Sequence, residues 1–181
     1  MRRVIYGAAC TLDGFIATVD HGVEWLRWSD DVSAISQASL KNVDTMVMGR
    51  KTYDAARRMG SGAYAGFRNI VFSKTLGPDS APGIDVIAED AVAVLTRLKA
   101  GDGGGICVLG GAKLATALLN ADLIDEVGVN IHPVLLGQGI PMFLSRDHAL
   151  DLELIEGRLI QHGCLYALYR VVRSTRPERG R

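Results

Sequence analysis

The chain has 181 residues, of which 48% are hydrophobic and 22% charged, and its 20 basic and 20 acidic residues cancel. That length suits one well-buried domain and is short for two. A balanced charge gives no electrostatic reason to expect nucleic acid or an anionic membrane as partner, and no apolar stretch approaches the roughly 20 residues that span a bilayer.

The opening "MRRVIYGAACTLDG" begins basic, but its apolar part is short and breaks at Asp13-Gly14. It reads as a first strand over residues 4–10 and not as a secretion signal. Further apolar, β-branched runs predict strands at 45–48, 69–72, 84–88, 106–109 and 126–131. Helical patterns lie between several of them. "DDVSAISQASLKNV" puts Val32, Ile35, Ala38, Ser39 and Val43 on one side, while "EDAVAVLTRLKAG" and "GAKLATALLNAD" space Val92, Leu95, Leu98 and Leu114, Ala117, Leu118, Ala121 in the same way. Alternating strands and helices predict an α/β domain of three layers around a mainly parallel sheet. "LDLELIEGRLIQHGCLYALYRVV" reads as two long strands meeting near Gln161-His162-Gly163, an antiparallel hairpin at the sheet edge. Residues 1–173 are taken as one domain and the basic 174–181 as a flexible tail.

Cys10, Cys107 and Cys164 are odd in number, far apart and without CxxC spacing, so they read as buried free thiols in a reducing cytoplasm. The four histidines have no ligand spacing, and no metal site is expected.

Chemistry is expected at strand ends that run into glycine and then a helix. "CVLGGAKL" stops a strand at Gly110-Gly111, directly before a helix starting near Ala112. It fails as a P-loop, because Gly111 stands where lysine is required, and the GxGxxG fingerprint fails at Ile106. A helix start still offers unsatisfied N–H groups and a partial positive charge, and glycines let a phosphate come close. Tight strand–helix packing without a ligand explains that stretch equally well. "DTMVMGRKTYD" repeats the pattern with Arg50 and Lys51 in the first turn, where cations are misplaced by roughly 0.3–1 kcal/mol each unless an anion binds. "NIVFSKT" brings Ser73 and Lys74 to a third strand end.

The segments "CTLDGFIA", "VMGRKTYD", "IVFSKT", "CVLGGAKLATALL" and "LIDEVGVNIHPVLLGQGIPMF", in this order, resemble the dihydrofolate reductase-like superfamily. The closer resemblance is to the reductase half of the bacterial bifunctional riboflavin-biosynthesis deaminase-reductase and its stand-alone relatives. It covers residues 1–172, and the zinc motifs of the deaminase half are absent from this sequence. The resemblance implies a three-layer fold with a mixed, mainly parallel sheet of eight or nine strands, NADPH as hydride donor, a homodimer and a cis peptide between Gly110 and Gly111. It implies that Gly110, Gly111, Ala112 and Leu114 border the diphosphate and nicotinamide. Gly49, Arg50, Lys51 and Thr52 would hold the diphosphate and adenosine end, Ser73 and Lys74 the 2′-phosphate, and backbone of Ala9 and Ile16 the nicotinamide.

The activity implied is reduction of a small pyrimidine- or pteridine-like heterocycle, with 5-amino-6-(5-phosphoribosylamino)uracil as the best single substrate. The alternatives are dihydrofolate reductase, from which Asp13-Gly14 and the lack of a proline before Trp25 depart, and an NADP-binding dimer without turnover. Asp13 and Asp30 are the catalytic candidates. Asp13-Gly14 is also a plain turn, and Ser29-Asp30-Asp31 a helix cap with first-turn acids, the preferred reading of that triplet. "ATVDHGVEWL" is expected on the substrate side, with Lys113 and Arg27 as loose candidates for a substrate phosphate. "HPVLLGQGIPMF" has Gly137 and Gly139 suited to a turn against another backbone.

Overall fold

Runs of β-branched and large apolar residues become strands, and segments where Ala and Leu recur every three or four positions become helices. The computed structural model describes residues 1–60, 62–77, 82–146 and 148–173. Its elements are β1 (Val4–Thr11), β2 (Phe15–Ala17), α1 (Asp30–Leu40), β3 (Val43–Gly49), α2 (Arg50–Arg58), β4 (Arg68–Phe72), β5 (Ile84–Ile87), α3 (Ala91–Ala100), β6 (Gly105–Val108), α4 (Ala112–Asn120), β7 (Glu126–His132), β8 (Ile140–Pro141), β9 (Leu152–Ile160) and β10 (Cys164–Val171). The expected strands sit within two residues of the observed ones, and a single 3-10 turn at Gln161–Gly163 joins the predicted hairpin. The expected basic tail lies outside the described residues.

Eight strands form one sheet in the order β5-β4-β3-β6-β1-β7-β10-β9. The pairs from β5 to β7 are parallel, while β10 runs antiparallel to both β7 and β9. Alternate residues of each central strand enter different cores. Val4, Tyr6, Val47, Ile106 and Val108 pack with Leu95, Ala115 and Leu118 of α3 and α4. On the opposite face lie Ile5, Met46 and Cys107, and Met48 and Val71 pack around Tyr53 of α2. Ile35 of α1 packs there with Ile160, Cys164 and Tyr166. Period-two strands covered on both faces produce the three layers.

Two local readings need correction. Val43 is not on the face of α1, because the helix ends at Leu40 and Val43 opens β3. The short β2–β8 ribbon was not foreseen, since three and two residues show no periodicity. All three cysteines are buried and free, and burial pushes the Cys10 and Cys107 thiols up to about 11 and about 12.

The parallel pairing sets where the sheet opens. β6 is bonded to β1 only at Val4, Ile5 and Tyr6, whereas β7 follows β1 to Thr11. Beyond Tyr6, β1 therefore has a strand on one side only, and a cleft begins there. The opposite end of the sheet is closed by Lys99 of α3, which is 4% exposed. Its Nζ donates to the Leu123 carbonyl at 2.8 Å and to both Asp125 carboxylate oxygens at 2.6 Å, while Asp125 accepts the Val4 N–H at 2.9 Å. One ammonium thus ties α3 to the starts of β1 and β7. Lys99→Ala takes the donor from the buried Leu123 carbonyl and leaves Asp125 to the Val4 N–H and to Arg173, whose Nη2 lies 2.6 Å away, and is expected to cost about 2 kcal/mol in urea unfolding. Arg68→Ala, which breaks an ion pair with both partners about half exposed, should cost under roughly 0.5 kcal/mol. Equal losses would show that the Lys99 contact is no more than surface charge.

Candidate functional site

Four α-helices start among the described residues, and they start in two ways. The Ser29 hydroxyl caps α1 by accepting the Val32 N–H at 3.3 Å, and Asp90 caps α3 by accepting the Ala93 N–H at 3.0 Å. The N-caps of α2 and α4 are Gly49 and Gly111, with no side-chain cap and no acid in the first turn. Their positive ends converge. The Gly49 N–H donates to the Gly110 carbonyl at 3.4 Å, Leu109 N–H to Val47 at 3.0 Å, and a Cβ on Gly111 would stand 3.4 Å from the Thr52 hydroxyl. Gly110 has φ +106°, a conformation that needs glycine, and the Gly110-Gly111 peptide is cis.

These ends open on a cleft of about 1110 Å³ whose floor is the exposed run of β1. Its described lining contains Arg27, Arg50, Lys51 and Lys113 and no Asp or Glu. Arg50 is partly balanced by Asp54, which accepts from its Nε at 2.8 Å, while its two terminal nitrogens have no partner among the described residues. The far flank is apolar, with Ile16, Val19, Val23, Leu26 and Trp28.

The candidate residues fall into two groups. Ala9, Ile16, Gly49, Arg50, Lys51, Thr52, Gly111, Ala112 and Leu114 all line this one cleft, and buried Gly110 supports it from behind. Ser73 and Lys74 do not line it. The Ser73 hydroxyl instead accepts the Thr75 and Leu76 N–H groups at 3.2 and 3.0 Å, a turn within its own loop. Asp13 does not line it either. The Thr11 hydroxyl donates to it at 2.5 Å and the Gly137 N–H at 2.8 Å, and these bonds hold its carboxyl below the ordinary range. It is an ionised brace between the β1 turn and the loop before β8. That loop passes tightly under β2, where a Cβ on Gly139 would run into the Ala17 carbonyl. Asp30 is exposed in the first turn of α1, and its neighbour Asp31 accepts the Gln161 N–H at 2.9 Å. Ser29-Asp30-Asp31 acts as a cap.

Two polar groups on β7 escaped the sequence reading. His132, 1% exposed, and Asn130 lie two residues apart on β7 and both line the cleft. The Arg27 backbone N–H donates to His132 Nδ1 at 3.3 Å, Cys164 Sγ lies 3.5 Å from the same nitrogen, and Trp25 packs edge-on at 5.3 Å. Burial, helped by the Arg27 charge, lowers the His132 pKa from its ordinary 6.5. The available signal was alternation: in "VNIHP" polar residues take every second place at the end of an apolar strand.

A family model described as the RibD C-terminal domain matches residues 2–166. The uncharacterized protein YwjB of Bacillus subtilis (strain 168) is 32% identical, over 84% of this chain and 89% of its own length. A putative riboflavin biosynthesis protein from Shewanella sp. PV-4 has a crystal structure that superposes with a TM-score of 0.82 at 25% identity, covering 94% of this chain and 99% of that one. Dihydrofolate reductase from Enterococcus faecalis, in a complex with NADP(H), superposes with a TM-score of 0.67 at 19% identity over 93% and 96% of the two chains. The fold is the dihydrofolate reductase-like one.

A histidine held neutral by folding makes stability depend on pH with a definite sign. The unfolded chain takes up a proton near pH 6.5 that the folded chain resists, so stability falls as pH drops below that value. The slope is at most about 1.4 kcal/mol per pH unit. Urea midpoints at about pH 7.5 and pH 5.5 should differ more for the wild type than for His132→Gln. Equal differences would mean that the imidazole titrates freely.

Proposed function

The chain belongs to the RibD C-terminal domain family, and we propose that it is an NADPH-dependent reductase acting on a pyrimidine- or pteridine-like heterocycle. One observation carries this reading: two uncapped helix starts and four cations face a single cleft that has no acid among its described lining residues. A dinucleotide diphosphate is the ligand chemistry such a wall is built for. The volume also exceeds the upper range of ordinary small-molecule pockets, roughly 1,000 Å³, which leaves room for a second ring beside the cofactor.

When bound, the nicotinamide would supply the hydride. The protein's own part is orientation and exclusion of water. Gly49 and Gly111 leave the α2 and α4 N–H groups open to phosphate oxygens, and Arg50, Lys51 and Thr52 add charge and a hydroxyl. Ile16, Val23, Leu26 and Trp28 provide a dry wall. Arg27 and Lys113 both reach the cleft and suit a phosphorylated ribosyl substrate such as 5-amino-6-(5-phosphoribosylamino)uracil. With Ser73 engaged in its own turn, the free end of Arg50 is the better candidate for the 2′-phosphate. A dihydrofolate reductase is the poorer reading, because neither Asp13 nor Asp30 enters the cleft to hold a pterin.

The homodimer suggested by resemblance has a candidate surface. Leu159 and Leu165 are cross-strand partners on β9 and β10 and are 73% and 48% exposed, with exposed Leu154 on the same edge strand. A sheet edge this apolar calls for cover.

Arg50→Ala should weaken NADPH about tenfold in a fluorescence titration and NADH less, as loss of a charge-assisted bond implies. Equal losses would assign Arg50 to the diphosphate. Oxidation of NADPH by 5-amino-6-(5-phosphoribosylamino)uracil, followed at the nicotinamide absorbance, tests the activity. Binding without oxidation of this substrate or dihydrofolate would leave a cofactor-binding protein without turnover, and no NADPH binding would end the reading. Sedimentation velocity should show a dimer that Leu159→Glu converts to monomer, and a monomeric wild type would remove the partner.

A further inference from the structure

One stretch of the cleft wall is tied to the fold by very little. Residues 18–28 supply Val19, Val23, Leu26 and Trp28 to the cleft, yet their backbone bonds close on themselves. The Thr18 N–H donates to the Gly22 carbonyl at 2.9 Å, His21 to Thr18 at 3.0 Å and Leu26 to Val23 at 3.0 Å, and the Thr18 hydroxyl serves Asp20 and Gly22. Among the described residues, hydrogen bonds from this segment to the rest of the protein come from Arg27 alone. Its guanidinium donates to the His162 carbonyl at 3.1 Å, and its backbone N–H donates to His132 Nδ1 at 3.3 Å. Trp25 adds its edge-on contact with the same imidazole.

That attachment cannot survive a proton. A backbone N–H only donates, so Nδ1 must keep its lone pair, and the neutral ring carries its hydrogen on Nε2. Protonation would add a hydrogen at Nδ1, aimed at the Arg27 N–H, and the bond would be lost. Nothing around the ring compensates an imidazolium. From the segment it faces Arg27, a like charge, and from β10 the Cys164 thiol, 3.5 Å from Nδ1. From β1 it stands beside Thr11, whose hydroxyl is given to Asp13, and Asp13 is itself held by Thr11 and the Gly137 N–H. Nε2 is buried without a partner among the described residues. The closed segment therefore offers the charged ring neither water nor an acceptor, and only opening supplies water.

We propose that His132 is a proton-operated latch: neutral, it holds residues 18–28 closed through the Arg27 N–H, and protonated, it releases them while the sheet stays folded. β7 remains paired with β1 and β10 whatever the charge of the ring, so the segment is the part free to respond. The sign follows from linkage. Closing expels a proton, so the open-to-closed ratio rises as pH falls through about 6.5, by about tenfold between about pH 7.5 and pH 5.5. A ligand that leans on Val23, Leu26 or Trp28 is then held less tightly in acid. The latch concerns how the wall is fastened and stands whether or not NADPH binds.

The test is amide hydrogen exchange on the full chain, with protection factors corrected for the intrinsic pH dependence of exchange. At about pH 7.5 the Arg27 amide should be at least about a hundredfold less protected than the Ile106 amide of β6, as a local opening requires. At about pH 5.5 its protection should be about tenfold lower in the wild type. It should stay constant in His132→Gln and in His132→Asn, whose side chains do not titrate. Arg27 protection equal to that of Ile106, a wild-type value that does not change with pH, or the same fall in either folded variant would each overturn the proposal. NADPH plays no part in this readout, so its failure leaves the reductase reading standing.

Discussion

An uncapped helix start is a free positive pole, and this fold brings two of them together. α2 and α4 begin directly after neighbouring parallel strands, β3 and β6, so their first N–H groups lie at the same end of the sheet. Each N-cap is a glycine, and the Gly49–Gly110 hydrogen bond holds the two turns against each other. The other two helices carry side-chain caps and need nothing more. The cleft follows from the early end of β6 pairing along β1, since a longer β6 would fill it with a strand. Gly110 makes that early end possible, because its positive φ turns the chain away from the sheet within one residue.

Overall neutrality conceals how the charge is arranged. Twenty acids balance twenty bases across the chain, yet the described lining of the cleft has four bases and no acid. Three acids that do not line it are engaged with backbone or side-chain partners. Asp54 accepts from Arg50, Asp13 joins the Thr11 turn to Gly137, and Asp31 ties α1 to the Gln161 turn. Cations crowded along low-dielectric walls raise the local potential for an incoming anion well above what net charge suggests. Asp13 and Asp31 also had an acceptable local explanation in the sequence, as a turn and a cap, and those explanations are what the structure displays.

What the sequence made legible was whatever local chemistry encodes. Strand cores were readable because a strand buried on both faces is nearly all apolar, as in Met46-Val47-Met48. The two glycine junctions were readable because cations and glycines in a first turn conflict with ordinary capping. Ser73 shows where a local reading stops, because a hydroxyl after a strand looks the same in sequence whether it meets a phosphate or its own loop, and here its oxygen accepts from Thr75 and Leu76. The β2–β8 ribbon was hidden by its length, and its closeness to the Gly139 turn shows only in three dimensions. His132 was the hardest to see. Its partners come from Arg27, 105 residues away, and Cys164, 32 residues away, so nothing beside it in the chain marks it.

That long-range bond links the two halves of the cleft. The cationic end is built from strand–helix junctions whose geometry the sheet enforces. The other end depends on the segment from Thr18 to Ser29, which is held to β7 by Arg27 and by the edge-on contact of Trp25 with His132. Arg27 does two things there: its backbone N–H goes to the imidazole and its guanidinium donates to the His162 carbonyl at 3.1 Å. The segment therefore cannot lift from β7 without taking the donor from Nδ1. The tautomer of the buried imidazole and the position of this segment are therefore set by the same hydrogen bond.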